Sequence, residues 1–141
     1  MTFYFDMDGT IADLYGVEGW LTDLCAENVR PYAEARPLVD CERLINAIMF
    51  LKAEGFKFGI ISWTSRGGST EYNKAVRKTK MAWIKEFFPN CFDEIHVVKY
   101  GTPKYRVAKD YGFLFDDEEK NRNEWRGLSY TEKEIFNVLE W

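Results

Sequence analysis

The stretch Phe3-Tyr4-Phe5-Asp6-Met7-Asp8-Gly9-Thr10 decides how the chain is read. Three consecutive aromatic residues suit a buried strand, predicted over Thr2 to Asp6. That strand runs into two carboxylates two positions apart and a glycine that permits a sharp departure. Two like charges held close together must be solvated, protonated or neutralised by a cation. At the carboxyl end of a strand in an α/β sheet, such a pair is expected to serve a ligand site.

Working outward, the next strand-like runs are Phe56 to Ile61, Glu94 to Val98 and Phe113 to Phe115, with a short edge strand around Leu128 to Tyr130. Between them lie helical patterns. Asp40 is an expected N-cap for a helix whose Leu44, Ile45, Ile48 and Leu51 share one face and which Gly55 ends. Ser69 or Thr70 is expected to cap a long helix with Val76, Ala82, Trp83 and Phe87 inward. Thr102-Pro103 reads as a helix start, giving a short helix that stops at Gly112. A final helix is predicted from Thr131. Strands alternating with helices predict an α/β fold with a mostly parallel sheet and helices on both faces. Gly19 to Tyr32 carries Trp20, Leu21, Leu24, Cys25 and Val29 near helical spacing, a small excursion and not a second domain.

The 141 residues predict one domain over 1–141, and 46% hydrophobic and 17% aromatic residues suffice for its core. A net charge of −4 and a pI near 5.1 argue against a dedicated nucleic-acid protein. No apolar run approaches the roughly 18 residues of a spanning helix. Met1-Thr2 runs straight into the first strand with no basic segment or cleavage site, so no signal peptide is expected. Cys25, Cys41 and Cys91 are odd in number and far apart, so free buried thiols in a reducing cytoplasm are expected.

Three strand ends carry complementary polar groups: Asp6 and Asp8, then Ser62, then Asp116 and Asp117. In a parallel sheet they share one rim. Four acids there call for a hard divalent cation, and Mg2+ typically binds through a few carboxylates plus a substrate phosphate. Lys104, in the first turn of its predicted helix, adds an anion site. Cation, lysine and helix N-terminus together describe a phosphoryl site.

These residues resemble the haloacid dehalogenase-like phosphohydrolases. Asp6-Met7-Asp8-Gly9-Thr10 is similar to the family's first motif, D-x-D-G-[TV]. Gly59-Ile60-Ile61 followed by Ser62 is similar to the second. Lys104 stands where the third-motif lysine is expected, and Phe113-Leu114-Phe115-Asp116-Asp117 is similar to the fourth. The resemblance spans about residues 1 to 120, and the run Asp6 to Asp13 resembles the 5'(3')-deoxyribonucleotidase-like branch. It implies a three-layer, Rossmann-like sandwich; many members carry a substantial cap domain, but the excursion at about residues 14–36 is short for one, so a minimal helical cap is expected. It also implies a phosphatase in which Asp6 is the nucleophile and Asp8 the acid and base. Mg2+ would be held by Asp6, the Asp8 carbonyl and Asp116, with Asp117 close by, while Ser62 and Lys104 bind the phosphoryl group.

Several assignments have rivals. Thr64 competes with Ser62 and Lys99 with Lys104. Arg66, in the loop after Ser62, is a candidate for touching substrate. Asp13 reads as a turn residue and His96 as structural. Tyr15 and Trp20 read as packing residues, with base stacking as the alternative. Lys74, Arg77, Lys78, Lys80 and Lys85 read as a solvated helix face, and Glu118 and Glu119 as plain surface. The expected protein is a cytoplasmic monomer or homodimer acting on a nucleotide or another small phosphorylated substrate, with no membrane and without nucleic acid as the favoured partner. A phosphatase of nucleic-acid ends or phosphoproteins, suggested by the thin cap and the basic helix, and a non-enzymatic scaffold are the alternatives.

Overall fold

The computed structural model describes residues 1–140. In chain order the elements are β1 (Thr2–Phe5), β2 (Ala12–Asp13), α1 (Trp20–Cys25), α2 (Arg30–Glu34), β3 (Arg36–Pro37), α3 (Cys41–Ala53), β4 (Lys57–Trp63), α4 (Thr70–Phe87), β5 (Glu94–Val98), β6 (Phe113–Phe115), α5 (Glu119–Glu124), β7 (Leu128–Tyr130) and α6 (Ile135–Leu139). Five strands form one all-parallel sheet in the order β5-β4-β1-β6-β7. The fold is α/β, a Rossmann-like sandwich, as the alternation of elements predicts.

The strand order explains the layers. From β1 the chain steps outward through α3 to β4 and through α4 to β5, then crosses to the other side of β1 for β6 and β7. Right-handed crossovers running in opposite directions put their connections on opposite faces. On one face, Phe3, Phe5, Phe58, Ile60 and Phe115 pack against Leu44, Ile48 and Leu51 of α3, Trp83 and Ile84 of α4, and Ile135 and Leu139 of α6. Phe3 stacks between Phe58 and Phe113 with centroids 5.2 and 4.5 Å away. The second face is thinner: Tyr4, Ile61 and Leu114 meet Trp125 and the segment of Tyr105, Val107 and Ala108.

Gly59 belongs to that second face. Tyr4, Gly59 and Glu94 lie side by side across β1, β4 and β5. A Cβ on Gly59 would come within 2.8 Å of the Tyr4 ring. The missing side chain lets the ring lie across β4, and the Tyr4 hydroxyl donates to Glu94 Oε1 at 2.9 Å. His96 Nε2 sits 2.9 Å from the same Glu94 oxygen, a structural partner as expected.

The predicted caps are present. Asp40 accepts from the Arg43 N–H, Ser69 accepts from the Tyr72 N–H, and Gly55 follows the C-cap of α3 with φ +99°. Three expectations fail. Thr102-Pro103 does not start an α-helix: the Thr102 hydroxyl folds back to donate to Lys99 O, and only one 3-10 turn, Lys104–Arg106, follows. The turn needs no further length because Tyr105, Val107 and Ala108 already lie against the sheet. Ala82 is exposed, one position off the inward stripe of α4. The cysteines are all free, but Cys25 is exposed, Cys41 half-buried and only Cys91 buried.

The excursion after β1 is two short helices, closed by the antiparallel pair β2–β3. It is fastened to α4. Leu14 and Tyr32 pack on Tyr72 and Val76, the Tyr72 hydroxyl donates to Asn28 O, and the Trp83 indole N–H donates to Ala35 O at 2.7 Å. Glu27 accepts from both the N–H and hydroxyl of Ser69. Among the described residues no helix is long and apolar enough to cross a membrane.

Candidate functional site

The sheet changes direction at β1, whose neighbours β4 and β6 lead away on opposite sides. The crevice beyond the carboxyl ends of such strands is where open α/β sheets bind ligands. Here it receives Asp6 from β1, Ser62 from β4 and Asp116 from β6.

The loop after β1 is wound tightly about one atom. The amides of Thr10, Ile11 and Ala12 all donate to Met7 O, at 3.0, 3.0 and 2.9 Å. Gly9 makes the turn with φ +83°, and a Cβ there would lie 2.3 Å from Asp117 Oδ2. The glycine is required twice, for the left-handed backbone and for the approach of Asp117. The Thr10 hydroxyl lies 3.1 Å from Asp6 Oδ2 and 3.3 Å from Asp117 Oδ1, and it accepts from the Asp117 N–H at 3.2 Å.

The acids separate into two groups. Asp6, Asp116 and Asp117 each offer an oxygen within 4.8 Å of the others. Lys104, buried, bridges two of them, donating to Asp6 Oδ1 and Asp116 Oδ2 at 2.7 Å each. Asn121 Nδ2 adds a donor to Asp116 Oδ2 at 3.1 Å. Asp8 faces elsewhere: its Oδ2 accepts from Lys80 Nζ at 2.8 Å, and its carboxylate stands outside the trio. Lys80 also donates to Ser62 Oγ and Trp63 O, at 2.8 and 2.7 Å. Lys80 is 1% exposed, which overturns its reading as part of a solvated helix face. Lys74, Arg77 and Lys78 of α4 are exposed as expected.

Electrostatics follow from this crowding. Burial, followed by the charge of Asp6, raises the Asp116 carboxyl to about 6 and the Asp117 carboxyl to about 8. Burial also raises Asp8, with the Lys80 ammonium opposing. Lys104 is raised: burial disfavours its charge, but Asp6 and Asp116 outweigh that. Four carboxylates against the two ammonium groups leave two formal negative charges. A hard, oxygen-seeking divalent cation matches both that excess and the donor set of Asp6, Asp116 and Asp117.

Above the acids lies a cavity of about 440 Å³. Asp6, Asp8 and Ser62 form part of its lining. Tyr15, Trp20, Leu24 and Tyr32 of the excursion contribute one side, and Trp63, Tyr100 and Arg66 another. Tyr15 and Trp20 meet edge to face at 5.0 Å, and Trp63 and Tyr100 pair at 4.9 Å. The Trp63 indole donates to Thr102 O at 2.9 Å, tying β4 to the Lys104 segment.

Other candidates fall as follows. Ser62 and Thr64 are both buried and both line the cavity, with Ser62 engaged by Lys80. Lys99 is exposed, leaving Lys104 as the lysine between the acids. Arg66 is exposed at the cavity, its guanidinium 5.9 Å from the Tyr100 ring. Asp13 accepts from the Gly16 N–H, a turn role. Glu118, expected as plain surface, lines the cavity. A single 3-10 turn at Lys104 offers no helix N-terminus for an anion, so the lysine acts there by its own charge.

Sequence reading missed Lys80 and Asn121. For Lys80 a signal exists: Tyr72, Val76, Lys80 and Trp83 fall on one helical stripe, and all four are buried. Asn121 follows the acidic run after β6 with no local pattern to mark it. Compared with known proteins, the chain matches no family model and no curated protein.

Proposed function

We propose that this protein is a haloacid dehalogenase-like, Mg2+-dependent phosphatase that hydrolyses a phosphomonoester through an aspartyl-phosphate. The observation that carries the reading is the division of two acids two residues apart: Asp6 stands with Asp116, Asp117 and Lys104, and Asp8 stands with Lys80 and Ser62. Two acids in different environments suit two different tasks.

An Asp6 oxygen attacks phosphorus while the bond to the leaving oxygen breaks. Asp8, whose burial favours the protonated form, gives its proton to that oxygen. Asp8 then takes a proton from water as the water oxygen bonds to phosphorus, and the bond to Asp6 breaks to release phosphate. Lys104 holds the attacking carboxylate and offsets charge on the transferring group. Asp6, Asp116, Asp117 and the Asp8 carbonyl would hold Mg2+, which supplies positive charge to the phosphoryl oxygens. The aromatic lining of the cavity favours a nucleotide among small phosphorylated substrates.

The test is a panel of nucleotides, phosphorylated metabolites, phosphorylated oligonucleotides and p-nitrophenyl phosphate, assayed with Mg2+ and with EDTA. Turnover is expected with Mg2+, lost in EDTA and lost in Asp6→Asn with the fold retained. Activity insensitive to EDTA, or near-normal rates in Asp6→Asn, overturns the assignment.

A further inference from the structure

Lys80 is the one buried cation of the site that no carboxylate of the trio touches. Its ammonium has three N–H donors and three acceptors at 2.7–2.8 Å: Asp8 Oδ2, Ser62 Oγ and Trp63 O. The Tyr32 ring lies 5.0 Å from Nζ on a further side. With every donor used, Lys80 has none left for a phosphoryl oxygen. Its contacts instead join α4, β4, the loop after β1 and the excursion at a single atom.

We propose that Lys80 is the positioning residue of the leaving-group acid: it pins Asp8 by one oxygen and turns the other to the substrate. The inference rests on the phosphatase reading above. Among the described residues Asp8 Oδ1 has no hydrogen-bond partner, while Oδ2 is fixed by Lys80, and Asp8 lines the cavity. The free oxygen is therefore the one that can face the departing group. Lys80 also keeps Asp8 out of the cluster of Asp6, Asp116 and Asp117, so that proton transfer and cation binding draw on different carboxylates. In the first step the P–O bond to the leaving group breaks, its electron pair stays on that oxygen, and the proton comes from Asp8 Oδ1. In the second step Asp8 receives the proton of the attacking water.

The prediction concerns which substrates suffer. A nucleoside or alkyl leaving group departs as a poor, basic alkoxide unless it is protonated; p-nitrophenolate needs no proton. In Lys80→Met, kcat/KM for a nucleoside or alkyl phosphate is expected to fall about 100-fold, the scale of general acid catalysis. With p-nitrophenyl phosphate kcat/KM is expected to fall less than about tenfold. On that substrate kcat and KM should drop together, with a burst of nitrophenolate near one per active site, because the aspartyl-phosphate then waits on a badly placed base. A purely structural role would lower both substrates alike and give no burst. Lys80→Gln, which keeps most of the stem and two N–H donors, is measured beside it and should show the same selective loss at smaller size if the methionine variant does not fold. Equal losses on both substrates without a burst overturn the role of Lys80 and leave the phosphatase reading standing. No turnover of any phosphomonoester by the unaltered protein overturns that reading and this inference with it.

Discussion

Gly9→Ala tests whether the loop after β1 exists to bring Asp117 over the site. Two costs are separable. An alanine at φ +83° pays about 1 kcal/mol for the left-handed backbone. Its Cβ would also stand 2.3 Å from Asp117 Oδ2, where ordinary contact begins at 3.4 Å, so the carboxylate must retreat by about 1 Å. That retreat strains the contact of the Thr10 hydroxyl with Asp117 Oδ1, at 3.3 Å, worth about 1 kcal/mol. The sum is about 2 kcal/mol, a fall in Tm of about 8 °C at this chain length. Gly101 is the matched control, with φ +87° and nothing within 4 Å of its Cβ position. Gly101→Ala should lose only about 4 °C. In an Asp117→Ala background the clash vanishes, so Gly9→Ala should there cost no more than the control. Thermal melts with and without Mg2+ read both effects, since a carboxylate displaced by 1 Å lies well outside the roughly 0.2 Å tolerance of a metal ligand. Equal losses in Gly9→Ala and Gly101→Ala, with equal stabilisation by Mg2+, would refute the reasoning.

The raised carboxyls give a pH dependence whose sign is fixed. Asp116 near 6 and Asp117 near 8 lie above the value of about 3.9 in an unfolded chain. The folded protein thus holds more protons between about pH 4 and 8, and its stability without metal falls as pH rises through that window. Melts in EDTA should show Tm declining from pH 5 to 8, and added Mg2+ should raise Tm more at pH 8 than at pH 5; a flat or rising profile in EDTA contradicts this. Trp20→Ala, in the excursion, should raise KM for a nucleoside monophosphate about tenfold, on the scale of one base–aromatic stack, while leaving acetyl phosphate unaffected. Equal effects on both compounds would exclude Trp20 from contact with the base.

Much of the architecture is legible locally. Phe3-Tyr4-Phe5 and Phe113-Leu114-Phe115 are strands because each alternates its apolar side chains between two covered faces. Asp40, Gly55 and Ser69 mark helix ends because capping involves only neighbours three or four residues away. The Thr102-Pro103 signal is equally local and misleads, since the chain beyond it finds its partners on the sheet and not along a helix. Arg30 combines both kinds of contact, local and distant: Glu34 is its i,i+4 neighbour on α2, but Asp23 and Glu18 O, which its guanidinium also gathers to hold the excursion together, follow no helical spacing.

By itself the sequence determined the parallel α/β order, the strand that ends in Asp6 and the set of acids and hydroxyls at the rim, because hydrophobic period and turn chemistry are written residue by residue. Only the tertiary structure decided which cation serves which acid. Lys104 reaches across 98 residues to Asp6, and Lys80 across 72 to Asp8. A lysine among other lysines on a helix looks solvated until the opposite face of the stripe is known. At Lys80 that face is the core, and an ammonium buried there persists only because Asp8, Ser62 and Trp63 supply all three of its hydrogen bonds.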